Sequence, residues 1–106
     1  MLFELRQYQS TPGHRAGLVK IMEEEVIPFQ VSKGMVILGS FVGEADEDSY
    51  VWIRRFTDEA ERVALYEAVY QSDHWKQEIA PRIGTLLIRE SIKVTRLTPT
   101  PKSPLQ

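Results

Sequence analysis

Residues 49–62 (SYVWIRRFTDEAER) have the pattern of a strand that passes directly into the start of a helix. Side chains alternate along a strand, so Tyr50, Trp52, Arg54 and Phe56 share one face of it. Thr57 or Asp58 can then cap the first free amides of a helix, whose first turn is acidic. The strand face is aromatic and cationic rather than aliphatic. It must therefore meet water, a second subunit or a pocket.

The same change from a strand pattern to a helical one occurs earlier in the chain, which predicts a strand at residues 2–9 and a helix from 14 to about 31. Pro28 predicts a kink or an end of that helix near Val26. A second strand is expected at 35–43, a hairpin at 44–49, and a second helix after the third strand. A further helical turn begins at Ser72, a last strand follows at 86–97, and residues 98–106 form a proline-rich tail that should run extended.

The predicted order is β-α-β-β-α-β, which is the ferredoxin-like arrangement. We expect a single α+β domain over residues 1–106, in which two helices cover one face of a four-stranded antiparallel sheet. If Phe3, Leu5, Val51 and Ile53 face the helices, the open face carries Arg6, Tyr8, Trp52 and Arg54. An aromatic open face is expected to be covered. The simplest cover is the same face of a second copy, which predicts a two-fold homodimer.

The composition limits the classes of partner. The 106 residues carry a net charge of −2, which argues against nucleic acid or an anionic membrane as the main partner. There is no cysteine, so disulfides, thiolate metal sites and a cysteine nucleophile are excluded. No secretory signal and no apolar run of transmembrane length is visible, so the cytoplasm is the expected location.

Four short motifs, in this order along the chain, are similar to those of NIPSNAP proteins, and together they span nearly all of it. They are LRQY at 5–8 with PG at 12–13, YVWIRRF at 50–56 with ER at 61–62, YQSDHW at 70–75, and PTPKSPL at 99–105. The resemblance implies a dimeric α/β barrel, in which two ferredoxin-like sheets pack face to face and each subunit has a cavity between sheet and helices. Relatives by fold include antibiotic-biosynthesis monooxygenases, muconolactone isomerases, chlorite-dismutase-like haem proteins and aldoxime dehydratases. The family has no settled activity and no agreed catalytic residues.

The first candidate ligand-binding residues are Arg6 and Arg54, which would lie on neighbouring central strands. Paired guanidinium groups can clamp a carboxylate or an enolate. The alternative is that Glu4 and Glu90 pair with them at the dimer interface. Either arrangement would place charged side chains on the open face of the sheet.

Aromatic side chains supply further candidates. Tyr8 and Tyr50 can donate a hydrogen bond to a developing oxyanion or act as acids, with Tyr8 as the catalytic candidate; otherwise their rings simply pack. Trp52 would form an apolar wall of the pocket. Trp52 and Tyr50 could also stack RNA bases, but the third strand lacks the RNA-binding signature and the chain is acidic.

His74 is the candidate general base or, alternatively, a haem ligand. It otherwise belongs to a partly exposed capping region beside a buried tryptophan. No spacing of histidines and carboxylates predicts a metal site, and no bound cofactor is expected.

These observations leave three hypotheses. The first is a homodimer that binds a small organic molecule in a cavity lined or bordered by Arg6, Tyr8, Trp52, Arg54 and His74, as a cofactor-independent monooxygenase, isomerase or lyase. The second is a non-enzymatic dimer that binds another protein. The third is a haem-binding barrel.

Overall fold

One antiparallel sheet of four strands underlies the fold in the computed structural model, which describes residues 1–106. The strands are β1 (Leu2–Gln9), β2 (Val36–Val42), β3 (Ser49–Phe56) and β4 (Lys93–Leu97), in the order β2-β3-β1-β4. β1 and β3 form the central pair, and their register sets Arg6 opposite Trp52 and Glu4 opposite Arg54. The predicted four-stranded, ferredoxin-like arrangement is confirmed.

The helical segments all pack on one face of this sheet. They are α1 (Arg15–Ile21), a π-helical segment at Met22–Val26, α2 (Ile27–Ser32), α3 (Glu59–Tyr70), a second π-helical segment at His74–Ile79, and α4 (Ala80–Ile83). None of them is both long enough and apolar enough to cross a membrane.

Each π-helical segment is followed after one residue by a proline, Pro28 in α2 and Pro81 in α4. A proline inside a helix loses an amide donor, and its ring crowds the carbonyl four residues earlier. The wider π turn relieves that crowding, so the helix continues instead of ending. The break predicted near Val26 is thus a change of helical pitch.

The start of α3 is capped as the sequence indicates. The Asp58 carboxylate accepts a hydrogen bond from the Glu61 amide at 2.8 Å, and the Glu61 carboxylate accepts one from the Thr57 amide at 3.0 Å. Two otherwise free amides are satisfied by these two acidic side chains.

The last strand is shorter than the predicted range of 86–97. Only Lys93–Leu97 pairs with β1 as a strand, and Arg89–Ser91 forms a 3₁₀ turn. The Ser91 hydroxyl accepts a hydrogen bond from the Gln9 amide at 2.9 Å, and the Ile88 amide donates one to the Gln9 carbonyl. The end of β1 is thus held by a turn.

The faces of the sheet are the reverse of those predicted. Tyr50, Trp52, Arg54 and Phe56 are at most 1% exposed beneath the helices, whereas Val51 and Ile53 lie half-buried on the outer face. Aromatic rings bury more apolar area than Val or Ile, so turning them toward the helices removes more apolar surface from water. The cost of burying Arg54 is offset by local partners, which the sequence pattern does not reveal.

The proline-rich tail folds back on its own sheet instead of running extended. Residues 101–102 form a turn, and Arg55 donates a hydrogen bond to the Gln106 carbonyl at 2.9 Å. Together with Phe3 and Ile53, the tail borders a shallow groove on the outer face. The rest of the outer face is left uncovered, including Phe41, which is 53% exposed.

Candidate functional site

A cavity of about 110 Å³ lies between the centre of the sheet and the helices that cover it. The sheet contributes Arg6, Tyr8 and Trp52 to its wall, and the π-helical segments contribute Met22, Val26 and Trp75. The remaining wall is formed by Tyr70, Ala80, Ile83, Leu87, Arg89 and Ile92. Segments of π-helix are frequent at functional sites because they alter which side chains point inward. Here both of them face the same space.

Arg6 is the cation that the sheet places on the cavity wall; the other wall arginine, Arg89, is exposed in the 3₁₀ turn. Its Nε donates to the Tyr8 hydroxyl at 3.1 Å and its Nη1 to the Tyr66 hydroxyl at 3.3 Å, and no carboxylate forms an ion pair with it. Its guanidinium also lies 5.8 Å from the centre of the Trp52 ring. Burial disfavours the charge, but the tyrosines, Tyr8 first, outweigh this and leave the pKa of Arg6 above its ordinary value.

Arg54 lies behind the wall and is fully buried. It donates to Glu4 Oε1 from Nη2 at 2.8 Å and from Nε at 3.1 Å. It also donates to the hydroxyls of Tyr66 at 2.8 Å and Tyr70 at 2.7 Å, and to Gln30 Oε1 at 3.0 Å. Every N–H direction of the guanidinium thus meets an acceptor from the protein.

The expected Arg6–Arg54 clamp is therefore not formed as a pair. Arg54 is committed to Glu4, and only Arg6 borders the cavity. The predicted alternative, pairing with Glu4, is observed for Arg54, but inside the subunit and not on an open face. Glu90 lies exposed in the 3₁₀ turn and pairs with neither arginine.

Tyr8 and Tyr50 have different positions, although both were candidates. Tyr8 lines the cavity, and its ring centre lies 6.2 Å from that of Tyr50. Tyr50 is not part of the wall: its hydroxyl lies 2.6 Å from the Ser40 hydroxyl on β2. Burial raises the pKa of Tyr50, and the bond with Ser40 offsets part of that effect. The assignment of Tyr50 as a ligand-binding residue is not supported by its position.

His74 lies outside the cavity. It is exposed, and its ring packs against Phe29 with 4.7 Å between ring centres. The base and haem-ligand roles both need the imidazole on the wall, which carries no histidine. Its position instead fits the alternative of an exposed residue near the start of a helical turn.

Two wall residues, Tyr70 and Trp75, were not among the candidates. Their signal was present: Tyr66 and Tyr70 are four residues apart on one helix face, and Trp75 shares a face with Ile79. In the structure the Tyr70 and Trp75 rings pack edge to face at 4.9 Å. Only the packing of α3 against the second π-helical segment turns them toward Arg6.

Trp52 has one further property. Its indole Nε1–H is buried and has no hydrogen-bond partner in the protein. Most buried polar groups in proteins are paired, so such a donor calls for an acceptor. The side chain that carries it lines the cavity.

The side chains of the domain form no group of three or more histidines and carboxylates that could hold a metal ion. The cavity wall has no carboxylate, and its polar groups are the guanidinium groups of Arg6 and Arg89 and the phenol and indole groups described above. The arrangement can therefore bind and stabilise a hydrogen-bond acceptor.

The model of the NIPSNAP family matches residues 3–104, which is nearly the whole chain. The chain belongs to the NIPSNAP family. It is similar to the crystal structure of an uncharacterized NIPSNAP domain protein from Burkholderia xenovorans, at 26% identity and a TM-score of 0.86, covering 98% of this chain and 99% of that one.

Two further solved structures share the fold. A NIPSNAP family protein with unknown function from Agrobacterium tumefaciens is 24% identical with a TM-score of 0.89, covering 100% of this chain and 94% of that one. An antibiotic biosynthesis monooxygenase is 18% identical with a TM-score of 0.70, covering 95% of this chain and 100% of that one. No match is found among curated proteins. The resemblance deduced from the four motifs is thus confirmed at the level of the family.

Proposed function

We propose that this NIPSNAP protein binds a small organic molecule in the cavity between its sheet and helices. The observation that supports the proposal is the wall itself, which is mostly apolar and on which Arg6, Tyr8 and Tyr70 converge. Ligand sites in proteins typically combine an apolar enclosure with a few placed polar groups. Both tryptophans of the chain, Trp52 and Trp75, belong to this wall.

The wall also bears on the type of chemistry. Isomerase and lyase reactions usually need a base to take a proton from carbon, and the wall offers neither a carboxylate nor a histidine for that role. Its donors suit the stabilisation of an oxyanion or enolate, with Tyr8 or Tyr70 as the available acid. Among the cofactor-independent classes, monooxygenation of a substrate that forms its own enolate is the one that needs no protein base. It therefore fits these wall residues best. The fold shared with an antibiotic biosynthesis monooxygenase is consistent with that class.

A cavity-filling variant tests this proposal. Ala80 lies on the wall, so Ala80→Leu places extra carbon atoms inside the cavity. We expect it to abolish changes in tryptophan fluorescence caused by a library of small organic molecules, whereas the matched variant Ala64→Leu, on the exposed side of α3, should keep them. If no molecule of any charge alters the wild-type fluorescence or its NMR spectrum, the proposed function is wrong.

We also propose that the chain forms a two-fold dimer through the outer face of the sheet. This face carries Leu5, Phe41, Val51 and Ile53, and Phe41 lies across Gly39, where a side chain would collide with its ring. Such an uncovered apolar surface on a sheet favours association. The face differs from the one deduced from the sequence, because the aromatic and cationic residues lie beneath the helices.

The dimer is tested with a matched pair of valines. Val51→Lys places a charge at the centre of the outer face, whereas Val63→Lys places the same charge on α3, where Val63 is 52% exposed. We expect light scattering to give a dimer for the wild type and Val63→Lys, and a monomer for Val51→Lys. A monomeric wild type at micromolar concentration contradicts the proposal. If the dimer forms but no ligand binds, the alternative of a non-enzymatic interaction protein gains support.

A further inference from the structure

The space between sheet and helices carries an excess of positive charge. Glu4 is the single carboxylate there, with a side chain only 2% exposed. Its Oε1 accepts both bonds from Arg54, and its Oε2 accepts the hydroxyl proton of Tyr66 at 2.6 Å. Glu4 is thus neutralised by Arg54, and Arg6 remains as a half-buried cation whose hydrogen-bond partners in the protein are phenols.

The polar groups around Arg6 are almost all donors. The Trp52 Nε1–H is buried without an acceptor. The Tyr70 oxygen accepts hydrogen bonds from Arg54 and from Gln30, so its own proton has no acceptor in the protein. The Tyr8 oxygen already accepts the Arg6 Nε–H. A ligand in this cavity must therefore supply acceptor atoms, and a negative charge on them would balance the charge of Arg6.

The other parts of the wall are apolar. Apolar side chains line the rest of the cavity, among them Val26, Ile83, Leu87 and the ring of Trp75. Its volume of about 110 Å³ is below that of a 150 Å³ protein cavity that admits benzene, which limits the apolar part of a ligand to roughly three to five carbon atoms. The size of the cavity therefore favours a ligand with a short apolar part.

We propose, building on the small-molecule function above, that the ligand is a small monocarboxylate with an apolar body. Arg6 binds the carboxylate, Trp52 Nε1–H donates to one of its oxygens, and Tyr70 supplies a further donor. Of the two wall arginines, Arg89 is exposed to solvent and Arg6 is half-buried without a carboxylate, so the charge of Arg6 sets the preferred ligand charge at one. Arg54 acts as a positioning residue, since it holds the Tyr70 oxygen and leaves the phenol proton free.

The test compares acids with amides of the same shape. The probes are 2-butenoate and 3-methylbutanoate, each paired with its neutral amide, and binding is followed by tryptophan fluorescence and by calorimetry at neutral pH. We expect each acid to bind at least about tenfold more tightly than its amide, because the amide lacks the charge that Arg6 requires.

Variants assign this preference to named residues. Arg6→Met keeps the length of the side chain but removes its charge, so it should remove the acid preference and leave acid and amide within about threefold of each other. Arg6→Lys should restore part of the preference, and Trp52→Phe should weaken acids more than amides. Arg55→Met is the matched control, since Arg55 lies on the outer face of the same strand and should leave the preference unchanged.

The outcomes separate this inference from the function on which it rests. Equal binding of acids and amides by the wild type, abolished for both by Ala80→Leu, overturns the monocarboxylate assignment and leaves the small-molecule site standing. Tight binding of the acids that survives Arg6→Met also overturns it. If no probe binds and the wider library is silent as well, the proposed function itself fails.

Discussion

The buried pair of Glu4 and Arg54 gives the sharpest prediction about stability. Arg54→Met removes a guanidinium that is fully buried and leaves Glu4 with the Tyr66 hydroxyl and with Arg62, whose nearest nitrogen is 3.9 Å away. Breaking a buried ion pair from one side typically costs about 3–5 kcal/mol, since the remaining charge is left uncompensated. For a domain of this size we expect a fall in melting temperature of about 4 °C per kcal/mol, hence roughly 12–20 °C.

A double-mutant cycle separates the pair from its surroundings. Glu4→Leu alone should cost a similar amount, so independent sites would lose about 6–10 kcal/mol together. The double variant should lose only about 1–3 kcal/mol, because what remains is the lost hydrogen bonds of Tyr66, Tyr70 and Gln30. The coupling between the two sites is therefore large and favourable.

The assay is urea unfolding followed by circular dichroism at one fixed protein concentration, because a dimer makes stability depend on concentration. Arg55→Met is the control: its one hydrogen bond is to the carbonyl of Gln106, and the loss should stay within about 1 kcal/mol. The reasoning is refuted if Arg54→Met costs no more than the control. It is equally refuted if the double variant loses the sum of the single losses.

Three further predictions concern single groups. Asp58→Ala should destabilise the protein by about 1 kcal/mol in urea unfolding, because the Glu61 amide loses its cap; Asp58→Asn should recover most of it. The pKa of Glu59 is lowered from 4.5 to about 2 by its hydrogen bond to Arg62, so its stabilising effect should be lost as the pH falls from about 4.5 toward 2, and a carboxylate that titrates normally by NMR would contradict this. Burial raises the pKa of Tyr66 from 10.0 to about 12, so its contribution to stability should be full below pH 10 and be lost as the pH rises toward 12. In a spectrophotometric titration Tyr66→Phe should remove one tyrosine that ionises near pH 12.

The cavity shows how two local irregularities build a site. Each of the two helical stretches that cover the sheet contains a π-helical segment, at Met22–Val26 and at His74–Ile79. These segments bring Met22, Val26 and Trp75 to the cavity wall beside Trp52. The prolines that follow them are visible in the sequence. The direction in which the widened turns point their side chains is set by packing on the sheet.

Much of the fold was predictable because hydrophobic period is a local property. The order of strands and helices, the cap at Asp58, the break before Pro28 and the family motifs could all be read from neighbouring residues. Arg6, Tyr8 and Trp52 could be nominated as site residues because polar and aromatic side chains on a strand face are unusual. The range of β4 was overestimated, since Ser91 and Ile88 meet Gln9 in a turn that only the long-range contact reveals.

The orientation of the sheet was decided by tertiary structure alone. Alternation sorted residues 50–56 into two faces but could not say which face the helices cover, and the aliphatic face was the natural choice. The answer depends on Glu4, Tyr66, Tyr70 and Gln30, which come from three separate elements and together satisfy Arg54. A buried charge is stable only where such partners converge, and that convergence is a property of the folded chain. The sequence by itself thus determined the elements, their order and the family, whereas the packing determined that Arg54 is structural and that Arg6 faces the cavity.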